Sequence, residues 1–255
     1  MLQDGKVVFT GSQGDELAAR LDMPDMPDGA VRAYALFAHC FTCSKDVFAT
    51  ARISRTLKEN GIAVFRFDFT GLGASEGDFA NTNFTSNVGD LVAAAEFMRE
   101  SGAPPSILIG HSLGGAAVLS AAAEIPQAKA VVTIAAPSNA AHVAHHFAGM
   151  KDEILKEGEA EVCLVGRSFR IKKQFFEDIE GIKIEGHVRD LDKALLVMHA
   201  PLDQVVGIEN AAQIFGWAKH PKSYISLDDV DHLVTRQNDA EYIGRMIACW
   251  AQPYI

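Results

Sequence analysis

Apolar and polar positions along the chain follow two rhythms. The runs AYALFAH, AVFRFDF, SILIG, AVVTIAAP, ALLVMHA and SYISL are short and largely apolar, the composition of strands buried on both faces of a sheet. Between them, apolar residues recur three and four positions apart, which predicts helices over Val47 to Asn60, Asn87 to Glu100, LGGAAVLSAAAEI, Ile208 to Trp217 and Asp239 to Trp250. Gly61 follows the first of these as a natural C-cap. At the start, KVVFT and ELAARL flank the turn-rich Gly11-Ser12-Gln13-Gly14 and read as a hairpin. Strands alternating with helices after an antiparallel start predict an α/β fold, a mostly parallel central sheet covered by helices on both faces. The alternation breaks between Ser138 and Asp192, where a more charged stretch carries the hairpin-like EVCLV-GR-SFRIKKQF. We expect one domain over residues 1–255, with this insertion, about 139–192, forming a cap over one end of the sheet. Ligand sites in parallel sheets lie at the carboxyl ends of the strands, so such a cap would shape a pocket.

Composition narrows the function classes. A formal charge of −10 argues against nucleic acid or an anionic membrane surface as partner, because both call for a clustered basic face. The apolar runs stop well short of the roughly 18 residues that a membrane span needs. The opening MLQDGKVVFTG has no targeting pattern, which leaves a cytoplasmic location as the expectation. Four cysteines in 255 residues do not make a disulfide scaffold, and a reducing compartment would keep them as thiols. Cys163 and Cys249 read as small apolar fillers. The sequence leaves the oligomeric state open, a homodimer included.

The residues that carry chemistry start with Gly110-His111-Ser112-Leu113-Gly114-Gly115, a G-x-S-x-G between a strand and a helix. A sharp turn there lifts the Ser112 hydroxyl clear of the backbone and aims the Leu113 amide at the space where an oxyanion would form. A serine needs a base, and the base needs a third group to hold its tautomer. His232 follows the last strand and Asp203 follows ALLVMHA, both at the carboxyl edge of the sheet. Asp228, Asp229 and Asp231 are rivals as the orienting acid, but lie so close to His232 that they read better as loop-forming or capping residues. His111 and His199 read as structural. His142, His145 and His146 have helical spacing but no acidic or Cys partner, so a wall or hinge role is expected and no metal. Gly71-Leu72-Gly73-Ala74-Ser75-Glu76-Gly77 has the wrong spacing for a dinucleotide fingerprint, and no cofactor is expected.

The order Ser112, Asp203, His232 and the motifs around them resemble the α/β-hydrolase superfamily over nearly the whole chain. More narrowly, HCFTCSKD, RFDFTGLGASEGDF, GHSLGG and HAPLDQVV resemble the hydrolase half of bacterial proteins that join an α/β-hydrolase to an OsmC-type peroxide-reducing domain. With the hairpin-bearing cap, they are also similar to bacterial cinnamoyl and feruloyl esterases. The resemblance implies a serine esterase with Ser112 as nucleophile, His232 as base and Asp203 as orienter. It further implies that the loop after AYALFAH supplies a second oxyanion amide, at Phe41. Cys40 stands where that loop usually has Gly, a departure because Gly tolerates backbone angles that Cys does not. Short acyl or hydroxycinnamoyl esters are the implied small-molecule substrates, and a fused or separate OsmC-type redox domain is an implied partner.

His39, Phe79, Phe84 and His142, with the cap residues Phe169, Phe175 and Phe176, are candidate pocket residues, Phe79 and Phe84 being read as loop residues. The aromatics serve equally well as a small core of the cap itself. Two alternatives compete with an esterase. An acyl thioesterase would use the same triad. A thiol redox or peroxide-sensing module would use Cys40 and Cys43 as a dithiol–disulfide pair, with oxidation straining the oxyanion loop. A non-catalytic binding protein of the same fold is the remaining reading, and an intact triad speaks against it.

Overall fold

A computed structural model describes residues 2–25, 31–40, 42–147, 149–164 and 167–255. The strands β1 (Gly5–Thr10) and β2 (Glu16–Asp22) form the expected hairpin. Then β3 (Ala33–Ala38), α1 (Phe48–Glu59), β4 (Ile62–Phe67), α2 (Phe84–Glu100), β5 (Ile107–His111), α3 (Leu113–Ala121) and β6 (Ala130–Ile134) alternate. The insertion holds a 3-10 segment at Ala140–Phe147, α4 (Lys151–Glu157), β7 (Glu159–Leu164), β8 (Arg167–Lys172), α5 (Lys173–Gly181) and α6 (Ile184–Arg189). The fold closes with β9 (Ala194–His199), α7 (Glu209–Trp217), β10 (Lys222–Ser226) and α8 (Gln237–Ala251).

Among the described residues, eight strands form one sheet in the order β1-β2-β4-β3-β5-β6-β9-β10, and β7 pairs only with β8. Strands β1 and β2 run antiparallel to each other and β2 antiparallel to β4, while the remaining neighbours are parallel. Every residue of β4, β5, β6 and β9 is buried, which explains why their lettering is apolar apart from Arg66, His111, Thr133 and His199. On one face, Ala49, Ile53 and Leu57 of α1 and Ala240, Ile243 and Ile247 of α8 form an apolar cluster with Ile107, Ile109 and Met198 of the sheet. Each fully buried Ile, Leu or Met among them stabilises the fold by about 1.5–3 kcal/mol. On the other face, α2, α3 and α7 pack with Phe65, Phe67 and Leu108, and the insertion adds Phe169, Phe175, Phe176 and Ile179 to the same cluster.

The chain runs outward from β3 to β4 and returns to β5 on the other side of β3. This is the point in an open parallel sheet where ligands bind. The loop after β3 and the turn after β5 therefore face each other across paired Ala38 and Gly110.

Several expectations need correction. Helix α2 begins at Phe84 and not at Asn87, because Asn83 and Ser86 exchange side-chain and backbone hydrogen bonds in a capping box. Phe84 is therefore a buried helical residue and not a loop one, and Phe79 opens a 3-10 turn at Phe79–Asn81. Phe175 and Phe176 lie on α5 and not in the hairpin. Cys163 and Cys249 are exposed, since the neighbours that point inward are Val162 and Ala248; neither fills the core. No helix among the described residues is long and apolar enough to cross a membrane.

Candidate active site

Ser112 sits between β5 and α3 with φ 54° and ψ −126°, a backbone region that side-chain-bearing residues avoid. Small neighbours make the turn feasible. A Cβ on Gly110 would lie 2.2 Å from the Gly114 carbonyl oxygen, and one on Gly114 would lie 2.4 Å from the His39 oxygen. The strand, the helix and the loop after β3 can therefore touch only because these positions carry glycine. Leu113 is the first residue of α3, so its N–H has no carbonyl one turn back to bind and lies at the positive end of the helix dipole.

The three predicted residues converge. Ser112 Oγ lies 3.0 Å from Nε2 of His232, and Nδ1 of His232 lies 2.8 Å from Oδ2 of Asp203. Oδ1 of Asp203 accepts the amides of Val205 at 2.8 Å and Val206 at 2.9 Å. Burial pushes the Asp203 carboxyl upward, but hydrogen bonds from His232, Val206 and Val205 outweigh it and hold the group below the ordinary carboxylate range. An ionised Asp203 can only accept, which fixes the proton of His232 on Nδ1 and leaves Nε2 as the acceptor for the Ser112 hydroxyl. Two of the three rivals are occupied elsewhere. Asp231 binds the Leu233 amide and both the amide and hydroxyl of Thr235, and Asp228 accepts from Ser226.

Three further histidines surround this chain of hydrogen bonds. The Nε2–H of His111 donates to the His232 carbonyl at 2.7 Å, and that of His199 to the Val206 carbonyl at 2.7 Å. Burial is the largest cause that lowers both, and His111 falls to about 4, with His232 nearby adding to the effect. His142 reaches from the 3-10 segment of the insertion to the Val205 carbonyl at 2.8 Å. It thus ties the insertion to the loop that carries Asp203. The side chains of His145 and His146 lie outside the described ones, and no metal-binding cluster is present among the described residues.

The loop after β3 is built differently from its sequence reading. Cys40 and Cys43 are joined by a disulfide, whereas thiols were expected. A turn closed by the Cys43 amide on the Cys40 carbonyl brings the two Cα atoms to 5.4 Å, a normal disulfide separation. Phe41, the implied second oxyanion donor, lies outside the described residues. His39 donates from Nδ1 to the Cys40 carbonyl at 2.7 Å and packs edge-on against Phe69. His39 and Phe84 border a cavity of about 10 Å3 beside Leu113, room for a single water molecule. Phe175 packs on Phe176 within the insertion, and Phe79, in the segment after β4, packs on Phe169.

One anchor of this loop escaped the sequence reading. Asp68, fully buried after β4, accepts the Lys45 ammonium at 2.6 Å, the Lys45 amide at 2.6 Å and the Ala74 amide at 2.9 Å. Arg66 adds bonds to Asp22, Asp46 and the Lys45 carbonyl. The signal was present in RFD, two charges in a run that is otherwise apolar.

Known proteins share the family and the fold. Residues 29–159 match the family model described as serine aminopeptidase, S33. The chain belongs to this family of α/β-hydrolases. Among solved structures it is similar to the esterase domain of a Rhodothermus marinus protein, with 49% identity and a TM-score of 0.79 over 99% of both chains. Est1E from Butyrivibrio proteoclasticus, solved with ferulic acid, has a TM-score of 0.78 over 97% of this chain and 99% of its own. At 22% identity it shows a shared fold alone. The mouse mitochondrial palmitoyl-protein thioesterase ABHD10 is 26% identical over 188 residues, 71% of this chain. The match spans 60% of that relative's length. The chain is thus a serine hydrolase, and its similarity to an esterase domain supports ester hydrolysis.

Proposed function

We propose that the chain hydrolyses small carboxylic esters through Ser112, His232 and Asp203, by way of an acyl-enzyme. The observation that carries this reading is the unbroken hydrogen-bond path from Ser112 Oγ through His232 to a buried carboxylate. His232 Nε2 accepts the Ser112 proton as Oγ attacks the ester carbonyl, and the imidazolium so formed is stabilised by Asp203. The carbonyl oxygen, now negative, is received by the Leu113 amide at the head of α3. By resemblance, the Phe41 amide supplies the second donor. His232 then returns the proton to the leaving alcohol, and water repeats the cycle on the acyl-enzyme.

The insertion serves as a cap at the carboxyl end of the sheet. Contacts of Thr85 with Asp178, Asn81 with Lys172 and Phe79 with Phe169 support that role by fastening it to the segment after β4. Short acyl and hydroxycinnamoyl esters are the substrate classes we favour, in keeping with the esterase-domain relative. A second reading, hydrolysis of acyl thioesters, is favoured by the palmitoyl-protein thioesterase among the relatives. Side-by-side turnover of matched oxygen and thiol esters separates the two.

Replacing Ser112 by Ala tests the common mechanism. Turnover of phenyl acetate should fall by at least about a thousandfold and labelling by a fluorophosphonate should vanish, with an unchanged circular dichroism spectrum. Undiminished turnover in the folded variant would overturn the assignment.

A further inference from the structure

The loop that carries Asp203 turns two of its apolar side chains outward. Leu202 and Val205 are 69% and 39% exposed, so the loop is fixed largely through its hydrogen bonds. Two of those bonds come from histidines outside the loop and fall on consecutive carbonyls. His199 of β9 donates from Nε2 to the Val206 carbonyl, and His142 of the insertion donates from Nε2 to the Val205 carbonyl at 2.8 Å.

The second acceptor bears on catalysis. The Val205 carbonyl and the Val206 N–H belong to one peptide unit, and that N–H donates to Oδ1 of Asp203 at 2.9 Å. The unit is trans, as are all described ones except His220-Pro221, so its C=O and N–H point to opposite sides. His142 and Asp203 therefore bind the same peptide from its two ends. A single path of hydrogen bonds runs from His142 through this peptide to Asp203, His232 and Ser112 Oγ. Bonds in such a path polarise one another, so the outermost member influences the innermost.

His142 is well placed to hold its end. Asn139 opens the 3-10 segment, its side chain accepting the Ala141 amide at 2.9 Å and its carbonyl the His142 amide at 3.0 Å. Ala140 and Val143, three residues apart on one face, are buried in the larger apolar cluster, which leaves His142 on another face. Just before them, Ser138 donates from its amide and its hydroxyl to Oδ1 of Asn210 on α7. The root of the insertion thus holds the chain at Val205 and again at Asn210.

We propose that His142 is a positioning residue for the triad: from the insertion it orients the peptide that holds Asp203, so that full turnover requires the insertion to be seated on this loop. The proposal rests on the esterase reading above and adds a fourth side chain to the same site.

The test uses His142→Phe, which keeps a ring and removes the donor, and His142→Gln, which keeps a side-chain N–H. Acylation and deacylation share one base, so His142→Phe should lower kcat for phenyl acetate about three- to tenfold, the worth of one hydrogen bond, with KM nearly unchanged. His142→Gln should recover most of that loss. A residue that only walled the pocket would move KM, and a changed KM at unaltered kcat would overturn the proposal. A second readout needs no substrate. The proton between His232 Nδ1 and Asp203 gives a far-downfield resonance, identified by its loss in His232→Ala, that should shift or broaden in His142→Phe and return in His142→Gln. If the Phe variant does not fold, the unmodified protein still decides. With nitrogen-labelled histidine, the Nε2 proton of His142 should persist against solvent exchange while that of exposed His220 is lost, and loss of both would overturn the link. Unchanged kcat and resonance in His142→Phe, where the unmodified protein hydrolyses phenyl acetate, overturn the proposal alone. A resonance that moves in a protein without hydrolysis overturns the esterase reading and upholds the link from His142 to the triad.

Discussion

The buried ring of His111 should make stability depend on pH in a way that one substitution removes. Burial, reinforced by neighbouring His232, lowers its pKa from 6.5 to about 4. In the unfolded chain the ring takes a proton as pH falls through 6.5, whereas in the folded protein it stays neutral down to about 4. The unfolded state thus binds more protons across this window, so the stability contribution is complete above 6.5 and is lost as pH falls towards 4. At about 1.4 kcal/mol per decade, the interval is worth about 3 kcal/mol. His111→Gln keeps an N–H for the His232 carbonyl but does not titrate. Urea unfolding of both proteins, at about pH 7 and again at about pH 4.5, should show the unmodified protein losing about 2–3 kcal/mol more than the variant. Asp203, His39 and His199 also have lowered pKa values and add to the acid loss, but they do so in both proteins and cancel in the difference. Parallel pH profiles for the two proteins would refute the reasoning.

Two further outcomes follow from the loop after β3. Lys45→Met should lower the urea unfolding free energy by about 3–5 kcal/mol, because it strips the buried Asp68 of its counter-charge. Adding Asp68→Asn to that variant should recover part of the loss, and an unmoved midpoint in the single variant would count against the pairing. The bridge between Cys40 and Cys43 spans a turn that the Cys43 amide also closes on the Cys40 carbonyl, so it helps to hold the loop after β3 in shape. Reduction of the bridge by dithiothreitol, giving two thiols and the oxidised cyclic dithiol, should therefore lower turnover of phenyl acetate severalfold. Cys43→Ser should show the lowered rate with or without the reductant. Equal rates before and after reduction would assign the bridge no part in turnover.

The parts of this protein legible in its sequence are those where geometry leaves few choices of residue. Strands buried on both faces must be largely apolar, and β4, β5, β6 and β9 announce themselves for that reason, with the ion-paired Arg66 of β4 as the charged exception. The turn at Ser112 is legible on the same ground, since Gly110 and Gly114 stand where a Cβ would collide with backbone. Asp203 could be chosen over its rivals because its strand ends at the right edge of the sheet. The start of α2 was missed because a capping box headed by Asn83 and answered by a Ser departs from the usual pattern of Ser or Thr followed by Glu or Gln.

What stayed hidden depends on pairings between distant residues. Asp68 and Lys45 stand 23 residues apart, and nothing local distinguishes their ion pair from two solvated charges. His142 reads as a pocket-wall or hinge residue from its helical spacing with His145 and His146, but the bond that places it goes to Val205, 63 residues away. The same holds for His111. Its place before the nucleophile suggested a structural role, and one ring nitrogen indeed braces the His232 loop. Only the fold puts its ring on the wall of a cavity that the start of α1 and Leu233 also border. A residue's chemistry is legible when its constraints are local, and in this site the constraints that position the base come from residues scattered over most of the chain.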